Sequence, residues 1–305
     1  MNSGTVIFAQ NATSQTAQSL FDDFAAYAGC PTTLYENENV LNCLRETPHS
    51  NFRAAMNLLP NFAGSQSNHL AYLRRPDQSS TFYAQYAEEA IRHGRYAKVP
   101  VIMGNLEDEA SIFVPAQQDV IHDRKSLVEY FASWLTESPR PLVQGLIDTY
   151  STNPADGLPA GTGGKDQIYR LSKLNAAIQT DMKFTMARRI MLSYMYSHVP
   201  TWSYLGTFLH GTPWWGTYHT ADLETQFVQD VNTFAGKKMD EAYIHFVNHL
   251  DPNGNESHAE AWWPKWTPKG LQMANFSKSN VGVTKDDFRW ETYQYWRKHA
   301  SQLRI

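Results

Sequence analysis

Gly211–Leu223 reads GTPWWGTYHTADL and Pro100–Phe113 reads PVIMGNLEDEASIF. In the second stretch, Lys98–Met103 carries the short apolar run of a buried parallel strand. That strand ends in a turn with three consecutive acids, Glu107, Asp108 and Glu109. The first stretch sets His219 in a loop rich in Gly, Pro and Trp, just past a second strand candidate, Thr201–Phe208. Catalytic groups of open α/β sheets gather beyond the carboxyl ends of the strands. A carboxylate and an imidazole placed there are two of the three members of an acyl-transfer triad. An α/β fold is the expectation.

GNLEDEAS (104–111) resembles the acid-bearing turn of the type B carboxylesterase and lipase family, the α/β-hydrolases that include cholinesterases and secreted fungal lipases. GTYHTAD (216–222) resembles that family's histidine loop, and the order, acid before base, is the same. MNSG at the start, YLRRPD, GRYAKVPVIMGN and WWPKW extend the likeness over nearly the whole chain, 1–305, as one partial domain. The resemblance is to the family's C-terminal half. It implies a mixed, mostly parallel sheet flanked by helices, with the first half of the sheet missing. Position by position, it makes Glu109 the triad acid and His219 the triad base. The family usually has glycine after the acid, where this chain has Ala110.

The rest of the triad is not in the sequence. The nucleophile elbow G-x-S-x-G does not occur; the nearest string, Gly64-Ser-Gln-Ser-Asn, lacks its second glycine. No HGGG-like segment offers oxyanion donors. The resemblance therefore implies a carboxylic ester hydrolase present as acid and base without a nucleophile, inactive alone, with a missing N-terminal half as a partner. Its substrates would be small carboxylic esters or lipids. A different class fits the same family: a non-catalytic, cholinesterase-like binding or adhesion protein. Retention of both Glu109 and His219 favours the hydrolase, because binding needs neither.

Other chemistries fail on spacing. Gly164-Lys165 invites a phosphate-loop reading, but Pro159 stands where the first glycine belongs and Asp166 where Ser or Thr should bind magnesium. No H-E-x-x-H or paired-cysteine zinc spacing is present, so no metal or cofactor is expected. A net charge of -4 with 18% charged residues argues against nucleic acid and a polybasic membrane surface. No apolar run approaches the ~18 residues of a membrane span.

With 305 residues, 42% apolar, the chain has enough to bury a large core. Cys30 and Cys43 are its only cysteines, and Asn11, Asn255 and Asn275 head three glycosylation sequons. Together they point to a secreted, oxidising setting, with two buried thiols as the alternative to a bridge. The resemblance favours the disulfide, whose short loop is worth ~3 kcal/mol in the chain-entropy model. Yet MNSGTVIFAQNA has neither the charged region nor the apolar core of a signal peptide. Met1 is therefore expected to be an internal position of a longer secreted protein.

Helical spacing predicts helices over Ser14–Ala28, Val40–Leu44, Ser80–His93, 124–136, 141–150, Ile168–Ser197 and Met239–Leu250. Residues 5–8 (TVIF) are predicted as a strand remnant, and Arg188 and Arg189 as surface charges on the longest helix.

Overall fold

The computed structural model describes residues 1–6, 8–31, 37–61, 64–66, 71–228, 233–254 and 262–305. Helices α1 (Gln15–Tyr27), α2 (Asn37–Glu46), α3 (His49–Leu58) and α4 (Ala87–Arg92) precede strand β1 (Val101–Leu106). After β1 come α5 (Arg124–Ala132), α6 (Arg140–Asp148), α7 (Ser172–Thr180) and α8 (Met186–Met195), then β2 (Thr201–Thr207). Next are α9 (Ala221–Leu223) and α10 (Phe234–His249), the hairpin strands β3 (Gln272–Ser277) and β4 (Val281–Lys285), and α11 (Trp290–His299). The sheet order is β1-β2-β3-β4, with β1, β2 and β3 parallel and β4 antiparallel to β3. This is the expected mixed, mostly parallel sheet.

Parallel neighbours need long crossovers, and those crossovers supply the helices that cover the sheet. Every residue of β2 is buried, as a central strand requires. Period-two alternation sends Ile102 and Leu106 of β1 to the face packed on α10, beside Trp202, Tyr204 and Met239. Met103 goes to the other face, against Met191, Leu192 and Met195 of α8. Gly104 is required between them. A Cβ there would lie 2.0 Å from the Tyr204 ring in the paired strand. Gly104→Ala is expected to cost about 1–3 kcal/mol through overpacking. Urea unfolding would register it as a lower midpoint, and an unchanged midpoint would show that the ring has room to move.

Met1–Ser3 lie along the outer side of β1, where Ser3 N donates to the Gly104 carbonyl at 2.9 Å and Gly104 N to the Met1 carbonyl at 3.1 Å. Residues 5, 6 and 8 of the expected strand remnant are not in a strand, and Ile7 lies outside the described residues. Instead Gln10 N donates to the Ile305 carbonyl and Ile305 N to that of Phe8, joining this segment to the far end of the sequence.

Helix α1 starts where Ser14 predicts, its hydroxyl accepting from Ala17 N, and Gly29 follows its end at φ +81°. Ser80–His93 is helical only from Ala87. Its first half is taken by competing local bonds: Asp77 Oδ1 accepts from Ser79 N, and Asp77 N donates to the Tyr83 carbonyl. The hairpin β3–β4 has no counterpart among the sequence expectations.

Burial overturns one reading outright. Helices α7 and α8, joined by a π-helical turn at Asp181–Thr185, run through the interior, and Arg188 and Arg189 are not surface charges but fully buried. Asp286 collects them: Arg188 grips it with two nitrogens, each at 2.7 Å, and Arg189 Nε donates at 2.6 Å. Trp266 Nε1 adds a fourth bond at 3.1 Å. Arg188 also donates to Asn105 of β1 and Ser203 of β2, so one guanidinium ties α8 to two strands and to the segment after β4. Despite burial, which pushes it up, the two guanidinium groups hold the Asp286 carboxyl below its ordinary value.

Candidate active site

The register of β1 on β2, Leu106 opposite Gly206, brings the segments leaving both strands to the same edge of the sheet. Glu109 opens a 3-10 turn, Glu109–Ile112, and is fully buried. Its Oε1 accepts from Leu106 N at 2.7 Å and from the Ser3 hydroxyl at 2.5 Å. Those two donors leave Oε2 to face His219. Ala110, where the resemblance favours glycine, sits in the right-handed 3-10 turn, its amide bonded to Thr180 Oγ1 at 3.0 Å. This turn asks for no left-handed residue at that position.

The histidine loop bends through Gly211 (φ +75°), Trp214 (φ +68°), Gly216 (φ +57°) and Thr220 (φ +76°). His219 Nδ1 lies 2.7 Å from Glu109 Oε2, and His219 N donates to the Glu109 carbonyl at 3.2 Å. The ring is held between Phe113 and Phe184, at centroid distances of 5.6 and 5.2 Å. An ionised Glu109 accepts only, so it fixes the proton on Nδ1 and leaves Nε2 with its lone pair. Nε2 has no hydrogen-bond partner among the described residues, and the side chain is 31% exposed. A lone pair at Nε2 can take up a proton.

The three adjacent carboxylates take three different partners. Glu107 Oε2 pairs with His210 Nδ1 at 2.7 Å, and this bond raises the His210 imidazole above its ordinary value. Asp108, fully buried, accepts from Ala160 N at 2.7 Å and Thr217 N at 2.8 Å. Burial and then the neighbouring Glu107 charge push its carboxyl up to about 7. Asp222, in α9 three residues after His219, is also raised, by burial and by Glu109. A carboxyl raised on folding favours the fold while protonated and loses that contribution as pH rises through the folded value. The raised His210 has the same sign. Asp108 is therefore expected to take away roughly 2–3 kcal/mol of stability between pH 5 and 8, while the buried Lys183, whose ammonium is pushed down by burial, works in the opposite direction. The difference in urea midpoint between the parent and Asp108→Asn across that range would read the effect, and a difference constant with pH would contradict it.

Ser3, Thr217, His210 and Asp222 were not among the sequence candidates. Nothing local marks Ser3, which stands 106 positions from its partner. Cys30 and Cys43 form a disulfide that closes α1 against α2, far along the chain from this edge. Asn11 Oδ1 accepts from Thr13 N in an exposed turn, Asn275 is half-buried in β3 with Thr207 Oγ1 bonded to it, and Asn255 lies outside the described residues. Among the described residues no cluster of metal-ligating side chains occurs, and no helix is long and apolar enough to cross a membrane.

A model of the carboxylesterase family matches residues 1–296. The chain is 34% identical over 299 residues to Secreted lipase 1 of Botryotinia fuckeliana, an alignment covering 97% of this chain and 51% of that protein. It is 32% identical over 308 residues to Secreted triacylglycerol lipase LIP1 of Gibberella zeae, covering 99% and 51%. The chain thus spans about half the length of the curated relatives it matches. Among solved structures, Aspergillus niger EstA superposes with a TM-score of 0.74 at 17% identity, over 100% of this chain and 58% of that one. A PNB esterase superposes with a TM-score of 0.69 at 17% identity, over 97% and 56%. At such identity these two likenesses concern the fold alone.

Proposed function

The chain belongs to the carboxylesterase family, and from that premise we propose that it carries the acid and base of a Ser-Glu-His hydrolase of carboxylic esters. The observation that supports this reading most directly is the 2.7 Å approach of a buried Glu109 to His219 Nδ1. In the reaction, a serine hydroxyl attacks the ester carbonyl while His219 Nε2 takes its proton, and Glu109 stabilises the imidazolium. His219 then protonates the departing alkoxide, and water repeats the cycle on the acyl-enzyme. Hydroxyl and oxyanion donors come, in this reading, from a segment outside residues 1–305, and so do further strands beside β1. The half-length match to secreted lipases supports it. The whole protein is then a secreted lipase or esterase, with the Cys30–Cys43 bridge and a glycan at Asn11 suited to that setting.

The test is hydrolysis of a chromogenic butyrate ester. The purified chain is expected to be inert. Co-expression with a family N-terminal half carrying the G-x-S-x-G elbow is expected to create activity. Unaided turnover that survives His219→Gln would refute the proposal, and an assembled protein that stays inert would favour the binding role.

A further inference from the structure

Asp108 stands beside Glu109 yet has no part in the proton transfers just described. Its side chain has no contact with water, and each of its oxygens ends on a backbone amide: Oδ1 on Ala160 N, Oδ2 on Thr217 N. Thr217 returns a bond, its carbonyl accepting from Asp108 N at 3.1 Å. Two residues later comes His219. The first residue of the histidine loop is tied to residue 160 as well, because the Ala160 carbonyl accepts from Gly211 N at 3.2 Å. Acid turn, residue 160 and the middle of the histidine loop therefore meet at one carboxylate.

We propose that Asp108 is a positioning residue for His219: its carboxylate clamps the histidine loop to the acid turn and keeps the imidazole within bonding distance of Glu109. This rests on the reading of Glu109 and His219 as acid and base. The chemistry calls for a carboxylate specifically. Two N–H donors converge on one side chain, and only a group with two acceptor oxygens satisfies both. Asparagine would turn its own N–H onto one of them. Gly216 completes the fit, since a Cβ there would stand 2.0 Å from Asp108 Oδ2. The charged groups around the carboxylate are Glu107 and His210 from the flanking turns, Lys173 from α7 and Arg289 before α11. Lys173 itself donates to the Pro159 carbonyl at 2.7 Å, bracing the segment that carries Ala160.

NMR of the whole isotope-labelled chain tests the clamp without any need for turnover. In the unaltered protein, the Ala160 and Thr217 amide protons are expected to titrate together with one midpoint near 7, the value of the carboxyl they share. Independent or absent titration overturns the proposal, even if every variant fails to fold. In Asp108→Asn, exchange of the Thr217 amide is expected to rise roughly 10- to 100-fold, the scale of a lost charge-assisted hydrogen bond. The downfield Nδ1 proton of His219 is expected to broaden or vanish. His245 of α10, whose Nδ1 bonds the Asp251 carbonyl at 2.6 Å, serves as the internal control and should not move. A lower melting temperature with an unchanged His219 signal would reduce Asp108 to a structural role and sink the inference. The dyad itself is read separately: if Glu109→Gln leaves the His219 proton unmoved, it is the underlying reading that fails.

Discussion

His219→Gln is expected to lower ester turnover by about 10^6 once the chain is assembled with a serine-bearing half, because the nucleophile then has no base for its proton. Glu109→Gln is expected to cost about 10^4, the scale measured for swapping a triad acid for its amide. The smaller change follows from the geometry. Leu106 N and the Ser3 hydroxyl both donate to Oε1, so a glutamine there places its carbonyl toward them and its NH2 toward His219. That NH2 demands an acceptor at Nδ1 and forces the proton onto Nε2, where the base is needed. The imidazole survives in the wrong tautomer. Single-turnover rates with a chromogenic butyrate would separate the two variants, and equal losses would mean that Glu109 does more than orient the ring.

Asp286→Ala is expected to destabilise the chain by about 3–5 kcal/mol, the range for leaving buried charge unpaired. Arg188 and Arg189 would then face each other, both buried, with no anion between them. Such a loss is a large fraction of the 5–15 kcal/mol typical of a folded domain. Replacing all three residues with apolar side chains of similar volume is expected to cost much less, since the desolvation penalty disappears with the charges. Denaturant midpoints of the single and triple variants decide the matter; a single variant within about 0.5 kcal/mol of the parent, as at an ordinary surface site, would restore the surface reading of Arg188 and Arg189. Because the Asp286 carboxyl is held low, its contribution is present above the ordinary carboxylate range and is lost as pH falls through the folded value.

The misreading of those arginines has a plain cause. A helix with polar residues on every side reads as exposed, and the anion that makes burial tolerable lies 98 positions away from Arg188. The hairpin β3–β4 was missed for a related reason. Asn275-Phe-Ser looks like a surface sequon, whereas Asn275 is drawn into the sheet by Thr207 Oγ1 on the neighbouring strand. The helix expected from Ser80 lost its first half to hydrogen bonds of Asp77 that helical periodicity does not count.

What the amino-acid order determined by itself was local and chemical. The apolar run before Glu107 made a strand, Ser14 and Gly29 bounded a helix, and the glycines at 211 and 216 allowed a loop that few other residues could follow. It also named Glu109 and His219, through the resemblance of their surroundings. The tertiary structure alone decided that Glu107 takes His210 and Asp108 two backbone amides, and how Glu109 is turned so that Oε2 meets His219. That choice depends on the register of β1 against β2 and on donors such as Ser3 and Leu106 that occupy Oε1 first. Hydrogen bonds act over about 3 Å, so partners some hundred residues apart in sequence are selected only when the folded sheet sets them side by side.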